Sequence, residues 1–567
     1  MIRAPRVFWL MMAGLVLAGA GSCMSRPGFL EPDEAPPSAY GAFLAARYAG
    51  SSREASEAAR LYAEALEQEP NSAVISENAF LSALVAGDFA RADRAAMASR
   101  RNAEDEARLA GIYLMAGALA DRREIRSVEG RAIAGPFAEV VRQMIEDWGR
   151  IQREGADEVA RERAAATRSA RRYATYWFVH DALVFEAAGR VGEAEEAYRN
   201  AIGSLQLNAF TTRMFGEFLE RQGRRDDAIR FYSRQLERTP GAYDLRVALA
   251  RVEAGRRAPR APHPAEAAAR AVFAPAAVFA NTSRSEYAAL YLRIVQRLDP
   301  QFHRNSYYLA GVLERLSLFE AAEGVYVEIA GGAFAEAAAV DRAWLRFRSG
   351  DRTGGEMLAE EANTRFESQN AQLLLADIYR VTQRCEQAAP IYARAAAERA
   401  DGIGGDQDWR FAFFEGVCRQ IGGDWPAAEA LFLRALEIDP EQPRVLNHLG
   451  YNWIVLNLNV ERGFELVSEA ARLSPENGSI IDSLGWGYFK QGRFDEAVAH
   501  LEQAVALSPY NPTINWHLGD AYYRSGRQRE AQFQWRRALS LQPEERERSL
   551  IETRLEAGLD AAPADLE

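Results

Sequence analysis

Lysine is all but missing from this chain of 567 residues: Lys490 stands alone, and cysteine (three) and histidine (six) are nearly as scarce. Each shortage excludes a class of chemistry. Lys490 follows Phe489 and not glycine, so the Gly-x-x-x-x-Gly-Lys loop that cradles nucleotide phosphates is absent. Three cysteines cannot staple a scaffold of this size. Stability must therefore come from apolar packing, for which 48% hydrophobic residues supply the material. None of His180, His263, His303, His448, His500 and His517 opens a His-Glu-x-x-His zinc motif, and no Gly-x-Ser-x-Gly elbow occurs. The run Asp401 to Asp408 has carboxylates and glycines but neither the alternation nor the closing Glu of a calcium loop, and reads as a solvated insertion. Acidic residues outnumber basic ones, 80 to 68, for a net charge of −12 that opposes nucleic-acid binding. No catalytic residue, cofactor, metal ligand or small-molecule substrate is expected.

The amino terminus reads as an export signal. Arg3 and Arg6 precede an apolar stretch from Val7 to Ala20, 14 residues long, where a bilayer-spanning helix needs roughly 20. Residues 1–22 are therefore assigned to a secretory signal. The segment Ala20-Gly21-Ser22-Cys23 resembles the lipobox of bacterial lipoproteins, in which the cysteine is acylated, although Ala20 stands where Leu is usual. That resemblance implies lipidation of Cys23, and Met24 in place of Asp implies the periplasmic face of the outer membrane. Ordinary cleavage after the Ala18-Gly19-Ala20 run, giving a soluble periplasmic protein, is the alternative. Residues 23–38, with Pro27, Pro32, Pro36 and Pro37, read as a flexible tether.

A period of 34 residues organises the rest. Pro440, Pro475, Pro509 and Pro543 are spaced 35, 34 and 34 apart, each after an apolar helical stretch. Gly485, Tyr488, Gly492, Ala497 and Ala504 are matched 34 residues later by Gly519, Tyr522, Gly526, Ala531 and Ala538. The pattern resembles the tetratricopeptide repeat, a pair of antiparallel helices A and B. The resemblance implies an all-α solenoid of stacked hairpins, a right-handed superhelix. Its small residues have a steric meaning, because helices A and B cross most closely where Gly and Ala recur. Gly at position 15 ends helix A by reaching φ > 0, and Pro opens the next unit where no helical N–H is lost.

Counting backwards extends the register to units starting at 39, 73, 107, 141, 175 and 209, with the unit at 107 degenerate (Asp121 and Arg126 replace the small residues). Residues 39–255 are thus read as an N-terminal degenerate array and 256–264, with Pro259, Pro262 and Pro264, as a linker between two segments. Residues 265–408 follow as degenerate units plus one clear repeat, 409–544 as a well-matched array, and 545–557 as a capping helix.

Function is expected from binding. Positions 2, 5, 9 and 12 of helix A share a face, which by the resemblance lines a concave groove. The last repeats put Asn447, Tyr451, Asp482, Trp486, Phe489, Trp516, Asp520 and Tyr523 there, aromatics and hydrogen-bonding groups suited to an extended peptide or a helix. The alternative for any of these rings is packing between helices. His180, His448 and His517 share position 6 of helix A and read as an equivalent solvent-facing position. Cys385 and Cys418 fall near the same edge of adjacent units, as a disulfide or as two buried thiols. The expectation is a non-catalytic scaffold binding other proteins of the cell envelope and touching the membrane through its lipid anchor only. Two alternatives remain: a regulatory lipoprotein that activates or positions a cell-wall synthase or an export machine, and a hydrolase or transferase site in the degenerate stretch 243–368.

Overall fold

The computed structural model describes residues 38–102, 109–125, 138–169, 176–204, 208–239, 241–280, 285–400 and 408–559. The signal, Cys23 and its tether, and the insertion 401–407 lie outside the described residues. Among the described residues there are 29 helices and no strand, as an Ala-rich sequence with helix-period patterning dictates. They form an all-α helical-repeat solenoid, arranged in two compact units that divide between Phe366 and Glu367.

The first unit runs through α1 (Ala39–Ser51), α2 (Ala55–Gln68), α3 (Ala73–Ala86), α4 (Phe89–Asn102), α5 (Leu109–Ala120), α6 (Ala138–Glu154), α7 (Asp157–Ser169), α8 (Trp177–Ala187) and α9 (Val191–Ser204). It continues with α10 (Asn208–Arg221), α11 (Arg225–Arg238), α12 (Tyr243–Glu253), α13 (Pro264–Ala280), α14 (Ser285–Leu298), α15 (His303–Arg315), α16 (Phe319–Glu328), α17 (Ala335–Arg348) and α18 (Arg352–Phe366). The second unit holds α19 (Gln369–Val381), α20 (Cys385–Ala400), α21 (Trp409–Ile421), α22 (Trp425–Ile438), α23 (Pro443–Val455), α24 (Val460–Leu473), α25 (Gly478–Lys490), α26 (Phe494–Leu507), α27 (Pro512–Arg524), α28 (Gln528–Ser540) and α29 (Glu545–Ala557).

The punctuation read from the sequence has direct geometric causes. A Cβ on Gly450 would sit 2.6 Å from the carbonyl oxygen of Gly463, and one on Gly463 would sit 2.7 Å from that of Gly450, so α23 and α24 cross backbone against backbone. The turn after helix A takes a left-handed residue in nearly every hairpin. Gly492 (φ 74°) and Gly526 (φ 82°) do so without strain, but Arg53 (68°), Ser317 (60°), Gln383 (60°) and Asn457 (52°) are driven into the same region by the same turn. Topology, not residue type, sets that conformation.

The first unit departs from simple stacking. Helix α13 carries only Glu266 and Arg270 as charged residues and is buried on every side from Ala267 to Ala280, as expected of a helix with no polar face. It forms a hairpin with α14, and the pair packs back onto helices laid down much earlier: α13 against α5, α6 and α8, and α14 against α3 and α5. Arg293 of α14, 2% exposed, donates to the Val85 carbonyl at the C-terminal end of α3 (3.0 Å) and to Gln296 Oε1 (2.8 Å). Its guanidinium lies where a Cβ on Gly87 would come within 2.7 Å. Arg297 pairs with Asp121 at 3.0 Å. The stretch 256–264 connects α12 to this returning hairpin inside the first unit, and the division between units falls about a hundred residues further on. The physical reason is composition: α13 is stable only inside an apolar surround, which the helix-A face of the early hairpins provides. That face is consequently occupied by the chain itself.

Candidate partner-binding groove

The face of α23, α25 and α27 onto which the predicted residues project is open, and it is built around an aromatic stack. Trp486, 4% exposed, stacks with Phe489 (centroids 4.6 Å apart, 8° between planes) and with His517 (4.1 Å, 18°). Trp516 lies 6.5 Å from Trp486 and 5.0 Å from His517. Lys490 places its ammonium 5.3 Å from the Trp486 ring, a cation–π contact at the rim. A cavity of about 220 Å³ opens here. Of the predicted residues Tyr451, Trp486 and Trp516 line it, joined by Lys490 and by Arg546 and Leu550 of α29. Burial pushes the Tyr451 phenol above its usual range, with Asp482 adding to the effect, so it stays a neutral donor in physiological conditions.

The two carboxylates predicted for this face are structural. Asp482, 7% exposed, accepts from His517 Nδ1 at 2.9 and 3.1 Å. Asp520 is fully buried and accepts from Trp535 Nε1 (2.8 Å), Trp516 Nε1 (3.1 Å) and Arg554 Nε (2.9 Å). Burial lifts its pKa to about 6, against the pull of Arg554 and Trp535. Tyr523 packs on Trp535 (5.7 Å) and Phe489 also meets Phe494 (5.5 Å), so both rings serve inter-helix packing. Asn447 is half-buried outside the cavity lining, its Oδ1 without a hydrogen bond. The eight predicted residues therefore split into three that line the cavity and five that build its walls or lie beside it. Helix α29 was the missed contributor. Read as a cap, it occupies the place of another helix A, so Arg554 reaches Asp520 across 34 residues, one full repeat. The register that placed Trp516 and Asp520, continued past Pro543, places Glu547, Leu550 and Arg554 on the same face.

The three position-6 histidines are not solvent-facing. His180 (0% exposed) meets Asp147 Oδ2 at 3.1 Å, His448 meets Gln420 Oε1 at 2.7 Å, and His517 (2% exposed) holds Asp482. Each bond reaches the preceding helix A, and each ring sits among aromatics: Trp148 and Trp177, Phe413 and Phe432, Trp486 and Trp516. Position 6 is thus the stacking face between successive hairpins. Burial lowers the His448 pKa to about 4, with nearby Arg444 acting in the same direction.

Cys385 and Cys418 are two buried free thiols in one apolar cluster. Burial, and the hydrogen bond between the pair, push the Cys418 thiol well above its usual range, which makes it inert as a nucleophile. A wider recess of about 800 Å³ in the first unit gathers Arg123, His263, Glu266 and Asp299. Three of these are paired: Arg123 with Asp121 (2.8 Å), Glu266 with Arg260 (2.5 Å) and Asp299 with Arg270 (3.4 Å). Among the described residues no three His, Cys, Asp or Glu side chains converge as a metal site.

Family models of the tetratricopeptide repeat match residues 365–443 and 487–526. Over these residues the chain carries tetratricopeptide repeats, and such repeats support a protein-interaction scaffold. A TPR repeat-containing protein of Pseudomonas aeruginosa is 32% identical over 65 residues, which is 12% of this chain and 11% of that protein's length. Among solved structures, a tetratricopeptide repeat protein of Parabacteroides merdae is 13% identical, with 45% of this chain and 97% of the other covered and a TM-score of 0.37. The yeast Tom70 is 14% identical over 75% of this chain and 96% of its own, with a TM-score of 0.34.

Proposed function

We propose that the chain is a non-catalytic docking scaffold of the bacterial cell envelope, exported, acylated at Cys23 and held at the periplasmic face of the outer membrane. Its second unit receives an extended segment or helix of a partner protein against the helix-A face of α23, α25, α27 and α29. One observation carries this reading: in a chain whose first helix-A face is filled by its own α13–α14 hairpin, this face keeps an open cavity lined by Tyr451, Trp486 and Trp516. Large rings with few rotatable bonds give contact area at low entropic cost, which is what an anchor site requires.

The test is crosslinking in living cells from a photoreactive residue at position 516, with position 533 as control, since Phe533 is 67% exposed on α28. A discrete adduct from 516 and not from 533 supports the groove; equal labelling removes it. Cys23→Ala, compared by membrane fractionation, tests the anchor separately: release into the soluble fraction is expected, and full retention would contradict acylation.

A further inference from the structure

We propose that the outer face of α1 is a bilayer-contact surface, so that the first hairpin lies against the lipid headgroups. This rests on the reading of Cys23 as an acylated anchor. Tyr40, Leu44 and Tyr48 recur every fourth residue along α1 and are 72%, 44% and 74% exposed, so they form one continuous stripe on the helix surface.

Their register explains the exposure. Leu44 and Tyr48 hold positions 6 and 10 of helix A, which in interior hairpins meet the preceding hairpin. His517 at position 6 bonds Asp482 one repeat earlier, and a Cβ on Gly487, at position 10, would come within 3.0 Å of the Phe464 ring. Among the described residues no hairpin precedes α1, so its stacking face is exposed.

A solenoid end left in water needs a polar outer face. The last helix has one: Glu545, Arg546, Ser549, Glu552 and Glu556 are exposed on α29. Helix α1 is the opposite. It contains a single charged residue, Arg47, which is exposed, and no acid, within a chain of net charge −12. An apolar stripe with tyrosines at both ends and a lone cation suits the headgroup layer of a bilayer, where aromatic rings with polar tips concentrate and anionic lipids attract arginine. At 13 residues α1 is too short to cross a membrane and would lie along it.

Chain length supplies the proximity. Ser38, the N-cap of α1, lies 15 residues after Cys23, and 15 residues reach at most about 50 Å. An acylated Cys23 therefore confines α1 to the neighbourhood of the membrane, whatever path the intervening chain takes. Head-to-tail stacking of a second copy is disfavoured, because it would set the apolar stripe against the charged face of α29.

The test places an environment-sensitive fluorophore on Leu44→Cys in the full mature chain, with the same label on Glu237→Cys of α11 as control. Cys385 and Cys418 are buried and stay unlabelled. The chain is held on vesicles of phosphatidylethanolamine and phosphatidylglycerol in two ways. One uses its own acyl group, and the other replaces residues 1–23 with a hexahistidine tag bound to chelating lipid, which works with or without natural acylation. The expected result in both is a several-fold rise in emission from position 44, with quenching by nitroxide lipids, and no change at 237. The variant Tyr40→Ser/Tyr48→Ser, altered only at exposed positions, should abolish the rise while leaving the chain anchored. An unchanged signal at 44 on anchored protein overturns the inference. So does a signal that needs no vesicles and tracks a crosslinked dimer. Mass spectrometry of natural Cys23 reports on acylation alone, so an unmodified cysteine would sink the anchor reading while the tagged arm still judged the surface.

Discussion

Replacing Arg554 with methionine removes the cation from a pair that is wholly enclosed. Arg554 and Asp520 are both 0% exposed by their side chains, at 2.9 Å. Methionine fills much of the volume, so the main effect is to leave a buried carboxylate with only the Trp516 and Trp535 N–H groups as partners. Breaking a buried pair from one side costs about 3–5 kcal/mol. In a repeat array that loss falls on the terminal hairpin and its cap first, not on the whole chain. Asp520 gives the effect a pH signature. Its folded-state pKa of about 6 lies above the ordinary 3.8. The native state therefore binds the proton more tightly than the unfolded chain, and the associated stability is fully present below about pH 4 and lost as the pH rises through 6. Removing Arg554 drives the pKa higher still. The deficit of Arg554→Met should accordingly narrow by about 1–2 kcal/mol between pH 7 and pH 5. Hydrogen exchange of α27 to α29 reads it locally and urea denaturation globally. The double variant Asp520→Asn/Arg554→Met should recover about 2–3 kcal/mol relative to additivity. A deficit below about 1 kcal/mol, or one that is the same at both pH values, would refute the argument that the pair is desolvated.

Three further outcomes follow from the same geometry. Gly450→Ala forces a Cβ to 2.6 Å from the Gly463 oxygen and should destabilise the second unit by about 1–3 kcal/mol in urea denaturation; a neutral result would mean the crossing can open freely. Gln383→Gly, at φ 60°, should stabilise by about 0.5–1 kcal/mol in the same assay, since relief of left-handed strain outweighs the backbone entropy of glycine. His448, with its pKa lowered to about 4, binds fewer protons in the folded state than unfolded. Its contribution is therefore full above about pH 6.5 and lost as the pH falls towards 4, by about 3 kcal/mol at most. His448→Gln should flatten that part of the stability profile, and an unaltered profile would show the ring to be solvated.

The hairpin architecture was legible because its punctuation is steric and local. Gly485 and Gly450 mark crossings where no Cβ fits, and such residues announce themselves at a fixed spacing. The return of α13 and α14 was not, because the same apolar helix can stack onward or fold inward. Only its missing polar face hinted at the second outcome, and that signal is separate from the repeat. The groove residues were half legible for a related reason. Register gives the face of a helix but not the depth at which a side chain stops. Trp516 and Asp520 are four residues apart on one face, yet the first lines a cavity while the second is sealed under Arg554 from a helix outside the counted repeats. The position-6 histidines were misread because polarity alone suggested water, whereas Asp147, Gln420 and Asp482 on the preceding helices satisfy them inside the stack.

On the proposed function, the aromatic cavity of the second unit holds the partner. Once crosslinking has captured that partner, its affinity for the full chain by titration calorimetry, beside Trp516→Leu and Phe533→Ala, is the direct measure. Trp516→Leu, with its melting temperature checked, should weaken binding by about 2 kcal/mol or more, roughly thirtyfold, and Phe533→Ala should leave it unchanged. Equal affinities for all three chains would contradict the account.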